Sequence, residues 1–78
     1  MTVAAYVLLK TEVGRAGDVL DQVRQMEGIV SADGVTGPYD IIVRAEVDSM
    51  EDLGRMVVRK IQQIDGISGT LTCPVVSI

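Results

Sequence analysis

Val3, Ala5, Val7 and Leu9 alternate with Ala4, Tyr6, Leu8 and Lys10, the two-residue period of a β-strand over Val3 to Glu12. From Ala16 to Met26 the period changes, and Val19, Leu20, Val23 and Met26 fall at helical spacing. Val30 to Val35 reads as a strand again, and Asp40 to Val47 as another. Met50, Leu53, Met56, Val57 and Ile61 then form a second helical stripe, and Ile67 to Val75 a last strand. Ser49, with Asp52 three residues later, resembles a capping box with Asp in place of Glu. Gly28 and Gly66 stand where each helix needs a residue able to take positive φ, and Gly37-Pro38 marks the turn between the halves.

The two halves echo each other. Gln25-Met26-Glu27-Gly28-Ile29 matches Gln63-Ile64-Asp65-Gly66-Ile67, and the same offset carries Val3, Ala5, Val7 and Leu9 onto Ile41, Val43, Ala45 and Val47. Two tandem β-α-β units joined by right-handed crossovers predict an α+β fold over residues 1–78, a single domain. It is a ferredoxin-like βαββαβ sandwich, a four-stranded antiparallel sheet with both helices on one face. The opposite face has no helix over it. Tyr6, Leu8 and Ile42 point there beside Lys10, Arg44 and Glu46, and this apolar content predicts a homodimer formed through the sheet.

Composition sharpens that expectation. The chain has 78 residues, 47% of them hydrophobic, with neither Phe nor Trp, so aliphatic side chains must build the core. A domain this small buries only about 60–65% of its unfolded surface, which favours self-association. Seven basic residues against eleven acidic ones leave a net charge of −4, which argues against direct DNA binding. One cysteine forms no internal disulfide, no apolar run is long enough to span a bilayer, and the N-terminus lacks a basic segment before an apolar one. A cytoplasmic location follows from these features, with no membrane partner.

The residues also limit the chemistry. Without histidine there is no ordinary general base or imidazole metal ligand. Cys73 stands without a base or a nearby cation and reads as a core or interface residue. Asp18, Asp21, Glu51 and Asp52 lie in first helical turns, where the helix dipole favours them, so no metal site and no cofactor is expected. Gly14-Arg15-Ala16-Gly17 lacks the spacing of a phosphate loop. Arg24, Arg55, Arg59 and Lys60 read as solvated helix faces. The loop Thr36-Gly37-Pro38-Tyr39-Asp40 is richer: Asp40 can accept from an α-ammonium group, amides around Gly37 can meet a carboxylate, and Tyr39 can wall off a side chain. The same residues also suit an ordinary turn in which Asp40 caps backbone amides.

Val35-Thr36-Gly37-Pro38-Tyr39-Asp40, followed by Ile41-Ile42-Val43, resembles the Val-Thr-Gly-x-Tyr/Phe-Asp segment of the Lrp/AsnC family. The segment lies in that family's effector-binding domain, the domain for regulation of amino acid metabolism. Ile64-Asp65-Gly66-Ile67 and Thr70-Leu71-Thr72 resemble its Pro-Gly-Val and Thr-x-Thr stretches, with Asp65 in place of proline. The resemblance implies dimers that assemble further, often to octamers, and a free amino acid bound where dimers meet. It places Thr70 and Thr72 beside Gly37, Tyr39 and Asp40 as ligand residues, and Cys73 to Val75 in the stretch that affects the response. Met1 stands two residues before the first strand, so the resemblance implies a stand-alone form without the helix-turn-helix domain, acting on full-length regulators of the family. The competing readings are a small dimeric enzyme of the antibiotic-biosynthesis monooxygenase type and an ACT-like regulatory domain. The sequence lacks the His, Trp, Phe and Asn that such monooxygenases use, so it is read as no enzyme.

Overall fold

Strand alternation decides which side of the sheet the helices cover. The computed structural model describes residues 2–77. Its elements are β1 (Val3–Thr11), α1 (Ala16–Arg24), β2 (Ile29–Gly34), β3 (Ile41–Val47), α2 (Met50–Met56) and β4 (Ile67–Pro74), with a π-helical turn (Val57–Ile61) continuing α2. The strands form one antiparallel sheet in the order β2-β3-β1-β4, the ferredoxin-like arrangement expected from the repeat. Ala5, Val7 and Leu9 of β1 and Ile41, Val43 and Ala45 of β3 have no exposed surface and pack with Val19, Val23, Leu53 and Ile61 of the helical layer. Each of the buried Val, Leu and Ile side chains contributes about 1.5–3 kcal/mol.

The element ends differ from the sequence reading by one or two residues, with local causes. α1 stops at Arg24 because the Gln25 and Met26 amides turn back in shorter bonds to the Gln22 and Val23 carbonyls. β1 stops at Thr11, where the pairing with β4 slips between Lys10 and Thr11. Met50 does not join the buried stripe of α2 and is 56% exposed. Ser49 caps α2 by accepting from the Asp52 amide at 3.0 Å, while the Asp52 carboxylate pairs with Arg55 at 2.8 Å rather than closing the box.

The π turn answers a geometric problem. In an α-helix each four-residue step drifts by about 40° around the axis, so Leu53, Val57 and Ile61 would rotate away from the sheet. The wider turn, marked by the Gln62 amide bonding the Val57 carbonyl at 2.8 Å, reverses that drift and keeps Val57 and Ile61 buried.

Gly28 and Gly66 have φ of 91° and 101°. Their carbonyls accept from the Glu46 and Glu12 amides at 2.8 Å each, so each glycine is tied to the other half of the chain, Gly28 to β3 and Gly66 to the residue just after β1. A Cβ at Gly66 would lie 3.0 Å from Arg15 Cβ and 3.2 Å from a Val19 methyl. Left-handed backbone costs an L-residue roughly 1–2 kcal/mol before these contacts are counted. Gly66→Ala should therefore lower the thermal midpoint by roughly 5–15 °C, at about 4–8 °C per kcal/mol for a domain of this size. Gly17→Ala, within α1 and with nothing within 4 Å of the new methyl, should raise it. Paired melting curves check both directions.

Candidate functional site

The ends of β1 and β2 and the starts of β3 and β4 converge at one end of the sheet, where Thr36 and Asp40 lie. β3 begins beside the end of β1, and the Asp40 amide donates to the Leu9 carbonyl at 2.9 Å. That register brings the Asp40 carboxylate to Thr11: Oδ2 accepts from the Thr11 amide at 2.8 Å and from its hydroxyl at 3.1 Å. These two bonds, the amide first, hold the Asp40 pKa below its ordinary value; partial burial opposes them and Lys10 adds a smaller lowering. Asp40 is therefore a charged, positioned carboxylate and not a free loop side chain.

Asp40 and Thr36 line an open cleft of about 660 Å³ with Gly34, Val35 and Ala16, the first residue of α1. Arg15, the N-cap of that helix, makes no side-chain cap bond. It reaches instead across the end of the domain to the Asp65 carboxylate and carbonyl, both at 3.3 Å. Beyond this bridge Thr70 lines a second opening of about 270 Å³ with Gln62, Ile67, Ser68 and Gly69. The Thr70 hydroxyl accepts from the Gln62 side-chain amide at 3.0 Å. Thr72 lies farther along β4, half-buried and paired with Val7. One chain thus brings Thr36 and Asp40 together and sets Thr70 in a separate opening; Gly37, Tyr39 and Thr72 line neither.

The sheet face away from the helices is open. Tyr6 and Ile42 are 41% and 37% exposed there, with Leu8 half-buried between them. Pairing of Leu8 with Leu71 and of Tyr6 with Cys73 adds two β4 residues that strand alternation could have supplied from sequence. Cys73 is exposed, so it is not a core residue. The Arg44 guanidinium sits 5.3 Å from the Tyr6 ring centre and donates to its hydroxyl at 3.0 Å; this bond, followed by Glu46 at 3.4 Å, raises its pKa. Arg24, read from sequence as solvated, instead clamps the Ala32 carbonyl with two N–H donors at 3.1 and 2.8 Å.

Among the described residues no group of three or more Cys, Asp or Glu could hold a metal, and no helix is long and apolar enough to cross a membrane. The βαββαβ sandwich is a small ferredoxin-like module with an open sheet face and two open clefts at one end. The chain belongs to the Lrp/AsnC ligand binding domain family, whose model matches residues 4–78. Its curated relatives are HTH-type transcriptional regulators. The chain is 25% identical over 76 residues to an uncharacterised HTH-type transcriptional regulator of Pyrococcus abyssi, covering 97% of this chain and 48% of the relative. It spans half or less of the length of the curated relatives it matches. The solved structure of FFRP-DM1 is similar at 31% identity and a TM-score of 0.91, over 95% of this chain and 99% of that one. The transcriptional regulator NMB0573 of Neisseria meningitidis, solved as an L-Met complex, shares the fold at 17% identity and a TM-score of 0.87, over 96% of this chain and 50% of that one.

The Asp40 contact has a pH signature. A carboxyl with a depressed native pKa contributes stability that is complete above its unfolded value and is lost as pH falls through the native value. The acid limb of the stability curve should therefore be shallower in Asp40→Asn than in the parent chain. Carboxyl NMR titration should place Asp40 below the ordinary aspartate value of about 3.9, and Thr11→Val should move it upward.

Proposed function

We propose that this domain binds a free amino acid at the Asp40 cleft and pairs with a second copy through its open sheet face, without catalysis. The observation that carries the reading is the geometry of Asp40. Thr11 holds one carboxylate oxygen, keeps the group ionised and leaves Oδ1 for an α-ammonium group. Ala16 and Thr36 border the same cleft, so amides of the first α1 turn and the Thr36 hydroxyl suit the α-carboxylate. Gly37 and Tyr39 close the loop around the ligand. The L-Met complex of the fold neighbour from Neisseria supports the ligand class. The opening lined by Thr70 is separate from the Asp40 cleft and Thr72 lies farther along β4, so both reach the ligand from a neighbouring copy, at a junction between dimers in an assembly as large as an octamer. Pairing through Tyr6, Leu8 and Ile42 removes their exposed surface from water, and Leu71 extends the same patch. The resulting oligomer modulates full-length Lrp/AsnC regulators by sharing subunits or effector, and does not bind DNA itself.

Native mass spectrometry with a mixture of the amino acids should reveal a retained ligand mass and the copy number together. With that amino acid, Asp40→Ala should weaken calorimetric binding tenfold or more, since a hydrogen bond to a charged group is worth roughly 1.5–3 kcal/mol. Thr70→Val and Thr72→Val should cost less. Unchanged affinity in Asp40→Ala would make this carboxylate structural. Leu8→Lys should yield a monomer or an unfolded chain; a stable assembly of parent size would remove the sheet-face pairing.

A further inference from the structure

We infer that Lys10 is a second charged anchor of the Asp40 cleft and that the ligand is a dicarboxylic amino acid, its side-chain carboxylate set against the Lys10 ammonium. The inference rests on the amino-acid reading of Asp40 given above and adds the class of side chain. The β1–β3 ladder ends at Leu9 with Ile41. Lys10 follows Leu9 and Asp40 precedes Ile41, so the two stand across from each other just beyond it. Neighbouring strands lie roughly 5 Å apart, a spacing that a short ligand carrying both an ammonium group and a second carboxylate can bridge. Opposite charges so placed would ordinarily close on each other. Here Thr11 holds Asp40 Oδ2 through its amide and hydroxyl at 2.8 and 3.1 Å, and among the described residues Lys10 forms no ion pair. Behind those two Thr11 bonds, the Lys10 charge adds to the lowering of the Asp40 pKa, so the cation is within electrostatic reach of the carboxylate. On its other side Lys10 pairs with Gly69 of β4, where an added Cβ would stand 3.8 Å from Lys10 Cβ. Gly69 thus sets no side chain against the lysine, which is exposed.

The other polar groups of the cleft are already matched. Asp40 Oδ1 suits the α-ammonium group, and the amides of the first α1 turn with the Thr36 hydroxyl suit the α-carboxylate. Arg15, beside Ala16, is engaged by Asp65 at 3.3 Å and by Asp18 at 3.8 Å. Lys10 is free for the side chain of the ligand. Glutamine and asparagine have the shapes of glutamate and aspartate without their charge and leave the ammonium unmatched, while a basic side chain meets like charge. Because Lys10 is exposed, the preference it creates is several-fold and not orders of magnitude.

Calorimetric titration of the purified chain with L-glutamate, L-aspartate, L-glutamine and L-asparagine tests the class. At least one acid should bind more tightly than its amide, by roughly three- to tenfold at low salt. Lys10→Met should remove that preference by weakening the acid and sparing the amide, with its thermal midpoint unchanged, and Lys10→Arg should keep it. Equal affinity for acid and amide in the parent, tighter binding of a neutral or basic amino acid, or an acid preference that survives Lys10→Met would each overturn the inference. If Asp40→Ala then still weakens whichever amino acid does bind, the amino-acid reading stands and only the side-chain class falls. A parent that binds no free amino acid would overturn both.

Discussion

The pairing of β1 with β3 is the constraint on which the rest of the molecule depends. Its register runs from Val3 with Val47 to Leu9 with Ile41, so both strands present their small aliphatic residues on one side. A slip of one residue would turn Tyr6, Arg44 and Glu46 into the core and Val7 and Val43 into solvent. The core of Val, Ile, Leu, Met and Ala has no aromatic ring to fill a misfit, so register and packing enforce each other. The same register fixes the functional end. Because β3 starts beside the end of β1, Asp40 meets Thr11, and the candidate site is a by-product of the pairing that builds the core.

The fold was largely legible because its determinants are periodic. Alternation in β1 and β3 and the echo around Gly28 and Gly66 are properties of the chain read in order, and the structure repeats them as burial and positive φ. What escaped were features that depend on a second segment. Met50 has the right spacing to join the buried stripe but lies at its margin and stays in water. The π turn cannot be read from spacing, because it appears only where Ile61 must be brought back over the sheet. Arg24 reads as a solvated charge until β2 places the Ala32 carbonyl within its reach.

The site was legible as a loop and not as a geometry. Thr36, Gly37, Tyr39 and Asp40 announce polar chemistry by composition, but the partner that holds Asp40 lies 29 residues away on β1. Nothing near Thr11 in sequence marks it as that partner. The Gln62 contact with Thr70 was hidden for the same reason: its partner lies eight residues on, on β4. On the open sheet face, alternation extended to β4 would have found Leu71 and Cys73, whereas the stacking of Arg44 on Tyr6 required the register.

The strand order carries a consequence for how this duplicated chain comes together. Within the first half, β1 and β2 never touch, because β3 lies between them; within the second, β3 and β4 are separated by β1. Each outer strand is hydrogen-bonded only to a strand from the other half. Neither repeat can complete a sheet alone, so the two are interleaved like the fingers of clasped hands and must fold in one event. Opening the backbone at Gly37-Pro38 would leave two fragments, each holding strands that are partners only for the other.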